Sequence, residues 1–142
     1  MHTVKDLIKN RPEPYVLDAG LSTQDASRFM REHHIGAAPV VKDGELVGFC
    51  SERDLVYRVV AEKREPAETT VEEIMSRDVV CKGVDSTMRE CEDVMRLHHV
   101  RHLPIVDGKK VVACISLRDV LQGELEDSES DVGLLSDYIR GG

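Results

Sequence analysis

Apolar and polar positions follow different periods along this chain, and each change of period marks an element. In residues 3–9, Val4, Leu7 and Ile8 fall on one side of a helix. Arg11-Pro12-Glu13-Pro14 ends it, because proline cannot continue the hydrogen-bond ladder. Tyr15, Val16 and Leu17 form a short apolar run and predict a strand. Ser22, with Asp25 three residues on, is a capping pattern, and the helix it opens carries Ala26, Phe29, Met30 and His33 on one stripe. Residues 37–41 and 46–50 predict two strands joined through Asp43-Gly44, a strong hairpin signal. Ser51 caps the next helix, whose apolar positions are Leu55, Val56, Val59 and Val60. The polar stretch KREPAETT at 63–70 interrupts the pattern and predicts a linker.

The order then repeats. A helix is predicted over 71–75, a strand over 79–81, a helix opened by Thr87 and Glu90, strands over 103–106 and 111–115 joined through Asp107-Gly108, and a helix from Ser116. Residues 98–119, HHVRHLPIVDGKKVVACISLRD, restate residues 33–54, HHIGAAPVVKDGELVGFCSERD, at a constant shift of 65 positions. His33/His98, His34/His99, Pro39/Pro104, Val41/Val106, Val47/Val112, Ser51/Ser116, Arg53/Arg118 and Asp54/Asp119 are identical. A repeat of this period, present in two copies, indicates a duplicated domain unit rather than a solenoid. The predicted organisation is a first unit over 1–62 that includes the N-terminal helix, a linker over 63–70, a second unit over 71–123, and an acidic tail over 124–142. In that tail Leu134, Leu135, Tyr138 and Ile139 predict a short amphipathic helix.

Each unit reads β-α-β-β-α behind a leading helix, an α+β class. A small sheet covered by helices on one face leaves its other face apolar. The two pseudo-symmetric units are therefore expected to pack through their sheets, with clefts where they meet.

Composition narrows the function. The 142 residues are 41% hydrophobic, enough for a globular core, and no apolar run approaches the length of a membrane span. Charges interrupt the only apolar patch at the N-terminus, unlike a signal peptide, so a cytoplasmic protein without membrane attachment is expected. A net charge of −8 argues against a nucleic-acid partner, which needs a basic surface to displace counterions. The four cysteines show no C-x-x-C spacing. Cys50 aligns with Ile115, Cys114 with Phe49, Cys81 with Val16 and Cys91 with Ala26, so each is expected to behave as a small buried hydrophobe. The His33-His34 and His98-His99 pairs stand at helix ends, where they suit the helix dipole, and no metal site is expected from them. The chain has no G-x-S-x-G, no H-E-x-x-H and no phosphate-loop signature, and catalysis is not expected.

The ordered set is an apolar helix, I/V-x-x-x-P-V/I-V, D-G, a strand and S-x-R-D at a helix start, all of it twice. It resembles the cystathionine β-synthase (CBS) domain, and two in tandem resemble a CBS pair, or Bateman module, over residues 3–122. The tail Ser136-Asp137-Tyr138-Ile139-Arg140-Gly141 also resembles small stand-alone proteins of this type. The resemblance implies binding of an adenine nucleotide or other adenosyl ligand in clefts between the units. AMP leads, and ADP, ATP, NAD and S-adenosylmethionine remain open.

In Ser51-Glu52-Arg53-Asp54 and Ser116-Leu117-Arg118-Asp119, free N–H groups at a helix start beside a serine hydroxyl suit a phosphate. A carboxylate three residues on suits the two hydroxyls of a ribose. The same residues also fit a plain capping box, in which Asp54 or Asp119 bonds back to the cap N–H and touches no ligand. The resemblance further implies main-chain contacts to adenine from Ile35, Gly36, Ala37 and Ala38, and from Val100, Arg101, His102 and Leu103. Arg101 is expected to hold a phosphate. The first strands, with Val16 and Lys82, lack the threonine common in ligand-binding copies, and Lys82 offers charge in its place. Ala113 stands where the first copy has Gly48, the residue the family favours, which restricts backbone approach there.

The expectation is a non-catalytic regulatory module that forms a homodimer and signals to a separate partner protein. The alternative is an interaction module with unoccupied clefts. The stronger site is expected beside Ser116 to Asp119, because Arg101 and Arg118 add charge there whereas the first copy offers Arg53 alone.

Overall fold

The computed structural model describes residues 3–127. In order these form α1 (Val4–Ile8), β1 (Leu17–Asp18), α2 (Thr23–His33), β2 (Ala37–Lys42), β3 (Glu45–Ser51) and α3 (Glu52–Leu55), which continues as a π-helical segment, Val56–Val60. The second copy gives α4 (Val71–Ile74), β4 (Lys82–Gly83), α5 (Met88–His98), β5 (His102–Asp107), β6 (Lys110–Ser116) and α6 (Leu117–Asp127). The amphipathic helix expected around Leu134 to Ile139 lies outside the described residues. The fold is α+β with two repeated units, as expected.

The long elements follow their local signals. The Ser22 hydroxyl accepts the Asp25 N–H at 3.1 Å and starts α2. Thr87 and Glu90 close a reciprocal capping box at the start of α5. Both helices end on a histidine in the left-handed region, His34 and His99, each at φ 55°. Their N–H groups turn back to the carbonyls of Arg31 and Arg96. The first hairpin turns on Asp43 and Gly44, both at positive φ, the primed turn that suits twisted strands. In the second hairpin the turn falls on Gly108 and Lys109, one residue later than expected, and Asp107 ends β5. Only Gly108 takes positive φ there, so the two copies close equal hairpins with different turns.

The first strands sit two or three residues later than their apolar runs suggest. β1 is Leu17–Asp18 and pairs parallel with β2, Leu17 opposite Val40 and Asp18 opposite Val41. β4 is Lys82–Gly83 rather than residues 79–81. Cys81 consequently precedes its strand and is exposed, and Cys114 is half-buried, whereas Cys50 and Cys91 are buried. The expectation of four buried cysteines therefore holds for two.

The chain divides into two compact units that do not coincide with the two sequence repeats. One, here the Asp54 unit, contains residues 13–79 and 106–114; the other, the Asp119 unit, contains residues 3–12, 80–105 and 115–127. The opening helices are exchanged. In the Asp119 unit, Val4 N–H donates to Ser86 C=O at 2.9 Å and Lys5 N–H to Val84 C=O at 3.2 Å. In the Asp54 unit, Val71 N–H donates to Leu21 C=O at 2.8 Å and Glu72 N–H to Ala19 C=O at 3.0 Å. Leu21 and Ser86, like Ala19 and Val84, are repeat equivalents. The first N–H groups of a helix lack partners within it, and here the turn before the other repeat's long helix supplies them. The N-terminal helix, which sequence assigns to the first unit, thus packs on the turn before the second repeat's long helix. In the Asp54 unit, Leu17, Ala26, Ala38, Val40, Cys50, Val59, Val71 and Ile74 form the core.

Candidate functional site

In the Asp54 unit, β3 ends at Ser51, and α3 begins with Glu52 N–H donating to Gly36 C=O at 2.8 Å. Asp54 Oδ2 accepts the Ser51 N–H at 2.9 Å and its hydroxyl at 3.1 Å, while Asp54 N–H donates to Ser51 Oγ at 3.2 Å. The capping box is complete, and it fixes the carboxylate with one oxygen turned away from it. That oxygen, Oδ1, lies 3.8 Å from Arg58 Nε, and the Asp54 side chain is 16% exposed. Arg58 is anchored elsewhere: its Nη1 donates to the carbonyls of Ile74 and Met75 at 3.0 and 3.3 Å, closing the C-terminal end of α4.

The Asp119 unit repeats the cap and adds a partner. Asp119 Oδ2 accepts Ser116 N–H at 2.9 Å, Asp119 N–H donates to Ser116 Oγ at 3.1 Å, and Leu117 N–H donates to Arg101 C=O at 2.9 Å. Arg11, from the segment after α1, then grips both carboxylate oxygens: Nη1 donates to Oδ2 at 3.2 Å and Nη2 lies 3.1 Å from Oδ1. Burial pushes the Asp119 carboxyl up, but the bonds from Arg11 and Ser116 outweigh it and hold the group below its ordinary value.

These bonds alter the picture of an anion site at the helix start. In both copies the first and third helical N–H groups are already taken, by Gly36 C=O and Ser51 Oγ or by Arg101 C=O and Ser116 Oγ. The second, of Arg53 or Arg118, is the one these caps do not use.

The other predicted residues fall into three groups. Arg53, Arg101, His102 and Arg118 are exposed, and Gly36 is open to solvent. Val16, Ile35, Ala37 and Val100 are half-buried. Ala38 and Leu103 are fully buried, and Ala38 pairs with Cys50 in the ladder, so their side chains serve the core. Lys82 Nζ lies 3.6 Å from Glu90 Oε2 and is committed to a partner within its own unit. Gly48 is required by contact: a Cβ there would run into Met75 and stand 2.9 Å from the Ser76 carbonyl oxygen. Ser76 exchanges two backbone hydrogen bonds with Phe49, which brings it that close.

A cleft of about 670 Å³ lies on the helical side of the Asp54 unit, lined among others by Met30, Ile35, Gly36, Leu55, Val56 and Val60. It includes neither Ser51 nor Asp54. Its rim carries Val56 and Val60, which are 51% and 67% exposed, a high figure for valine. Both belong to the π-helical segment, whose wide turn is closed by Ala61 N–H donating to Val56 C=O at 2.9 Å. Sequence reasoning missed Arg11 and Arg58 altogether: neither lies in a repeated motif. Among the described residues no group of three or more His, Cys, Asp or Glu is placed to hold a metal ion, and no helix is long and apolar enough to cross a membrane.

Known proteins resemble this chain over most of its length. The CBS domain-containing protein YhcV of Bacillus subtilis is 29% identical over 134 residues, 94% of each chain. A putative signal-transduction protein with CBS domains from Burkholderia ambifaria is 33% identical, with a TM-score of 0.76 over 89% of this chain and 96% of that one. The CBS domain pair of protein MJ0100, solved in complex with 5′-methylthioadenosine and S-adenosyl-L-methionine, is 26% identical, with a TM-score of 0.71 over 86% of this chain and 94% of that one. The CBS domain family model matches residues 4–61 and 71–126, one match per repeat. The chain is a tandem pair of CBS domains and belongs to that family.

Proposed function

We propose that this CBS pair is a non-catalytic regulatory module that binds an adenosyl ligand through the aspartates of its two S-x-R-D motifs. The observation that carries the reading is Asp54. Its carboxylate is held rigid by Ser51 through one oxygen, while among the described residues the other meets only a long contact to Arg58. A ribose offers two neighbouring hydroxyl donors, and a half-buried, preset carboxylate oxygen accepts them without reorganisation. The ligand found with protein MJ0100 supports the adenosyl class. AMP is the preferred candidate here, since exposed Arg53, Arg101 and Arg118 can meet a phosphate. The arginine charges favour the Asp119 side, but Arg11 stands on that carboxylate, so Asp54 is the readier acceptor.

Binding regulates only where it favours one of two states, so a second surface must respond. The apolar cleft edged by Val56 and Val60 fits a second copy of this chain, and a homodimer is proposed, with a separate protein reading its state. The completed capping boxes favour the alternative, an interaction module whose aspartates only cap helices. A thermal-shift panel separates the two. AMP, ADP, ATP, NAD and S-adenosylmethionine are tested at millimolar concentration; a rise in Tm with at least one supports binding, because a ligand specific for the folded state stabilises it. No shift with any of them leaves the interaction module.

A further inference from the structure

The two aspartates are not equivalent, and the difference comes from a residue outside the repeat. Asp54 and Asp119 make the same cap with Ser51 and Ser116. Among the described residues only Asp119 is gripped at both oxygens by a guanidinium, that of Arg11, 108 positions away in the chain. At the shift of 67 that relates α1 to α4, the position of Arg11 is Asp78, a carboxylate that brings no cation to Asp54. The Arg11 and Asp119 side chains are 35% and 32% exposed, so water reaches the pair and its partners can be exchanged at modest cost.

We propose that Arg11 is a displaceable occupant of the Asp119 acceptor and sets which ligands that site takes; this rests on the reading of the aspartates as ribose acceptors. Arg11 holds one acceptor position on each Asp119 oxygen, so a ribose diol can take both positions of Oδ1 only by displacing it, which leaves a guanidinium without its full grip on the carboxylate. A nucleotide carries the replacement beside the sugar: its diol takes Asp119 while its phosphate takes Arg11. A nucleoside supplies the diol alone and leaves the arginine unpaired. The Asp119 site therefore selects phosphorylated ligands. The Asp54 site, whose carboxylate carries no such grip, accepts phosphorylated and uncharged adenosyl compounds more evenly. Departure of Arg11 also frees residues 9–12, which follow α1, so occupancy of this site alone is coupled to the N-terminal segment.

The test isolates the Asp119 site in an Asp54→Ala background and measures affinities for AMP and adenosine by calorimetry, with and without Arg11→Gln. The expected result is an AMP preference of at least tenfold that falls several-fold when Arg11 becomes glutamine, with adenosine binding more tightly than before. If Arg11→Gln does not fold, as judged by circular dichroism, Arg11→Lys replaces it. That variant keeps the charge but loses the two-point grip, and is expected to bind both ligands more tightly while retaining the preference. An AMP-to-adenosine ratio unchanged by Arg11→Gln, or adenosine no tighter in either variant, overturns the role of Arg11 and leaves the aspartate reading intact. Binding to the wild type that vanishes in Asp54→Ala alone also overturns it, since the Asp119 site would then take no ligand. Absence of binding to every form removes both.

Discussion

Gly48 lies against the end of α4 so closely that Met75 and Ser76 leave no room for a methyl group on it. The contact arises because Ser76 bonds to Phe49 in both directions, N–H to C=O at 2.9 Å each way. Gly48→Ala must push a backbone carbonyl, not only a flexible methionine, and is expected to cost about 1–3 kcal/mol. The repeat equivalent, Ala113, already carries a methyl, so Ala113→Gly should cost only the chain entropy of glycine and a small packing loss, about 0.5–1 kcal/mol. Urea unfolding of the two variants checks the contrast, and equal losses would show that the approach of Ser76 does not explain the glycine.

Exchange of the opening helices gives a second prediction. Val4 is fully buried in the Asp119 unit, although it belongs to the first repeat in sequence. Val4→Ala should cost about 1.5–3 kcal/mol from lost apolar burial. Its effect on native-state hydrogen exchange should fall first on residues 83–98, whose turn carbonyls receive Val4 and Lys5 N–H, and less on β2 and β3. Loss of protection centred on β2 and β3 would place the helix with its own repeat.

Much of this architecture was legible in the chain. The shift of 65 positions carries α2 onto α5, β2 onto β5 and β3 onto β6 with no change in length. Those elements have caps, turns and periodic cores of their own, so local pattern suffices. The two-residue strands are different. β1 is defined by its parallel pairing with β2 and not by its own run, and the apolar signal at Tyr15 to Leu17 misplaced it. The helix exchange and the Arg11–Asp119 pair are tertiary contacts between distant segments, and a single sequence carries no periodicity that announces them. The aspartates stand out in the sequence because their motif occurs twice; Arg11 and Arg58 occur once each.

Cysteine chemistry follows burial. Burial, reinforced by nearby Asp54, pushes the Cys50 thiol up to about 12, and burial pushes Cys91 up to about 11. The thiolate is the reactive form, so neither should alkylate in the native protein at pH 7.5, whereas exposed Cys81 should. Iodoacetamide labelling followed by peptide mass spectrometry reads this directly; native modification of Cys50 at the rate of Cys81 would contradict its placement.

On the α5–α6 side of the Asp119 unit, Glu124 faces Glu92. Burial, then the hydrogen bond and like charge of Glu92, raise the Glu124 carboxyl to about 7, against the opposing pull of Arg89 and Arg96. A carboxyl whose folded value lies above its unfolded one stabilises the fold while protonated in the native state. That contribution fades as pH rises from the unfolded value and is gone above about 7. Glu124→Gln should therefore raise Tm at pH 8 and leave it nearly unchanged at pH 5. The opposite order, a gain at pH 5 only, would mean that Glu124 is held as a stabilising anion.

The central claim is that the S-x-R-D aspartates hold a ribose rather than only a helix start. Titration calorimetry of AMP into the wild type, Asp54→Ala and the Asp54→Ala/Asp119→Ala double variant tests it most directly, with folding verified for each. Loss of hydrogen bonds to a charged group should weaken Asp54→Ala at its site by about 1.5–3 kcal/mol, and the double variant should show no saturable binding. A folded double variant that binds AMP as tightly as the wild type would contradict the account and return both aspartates to capping alone.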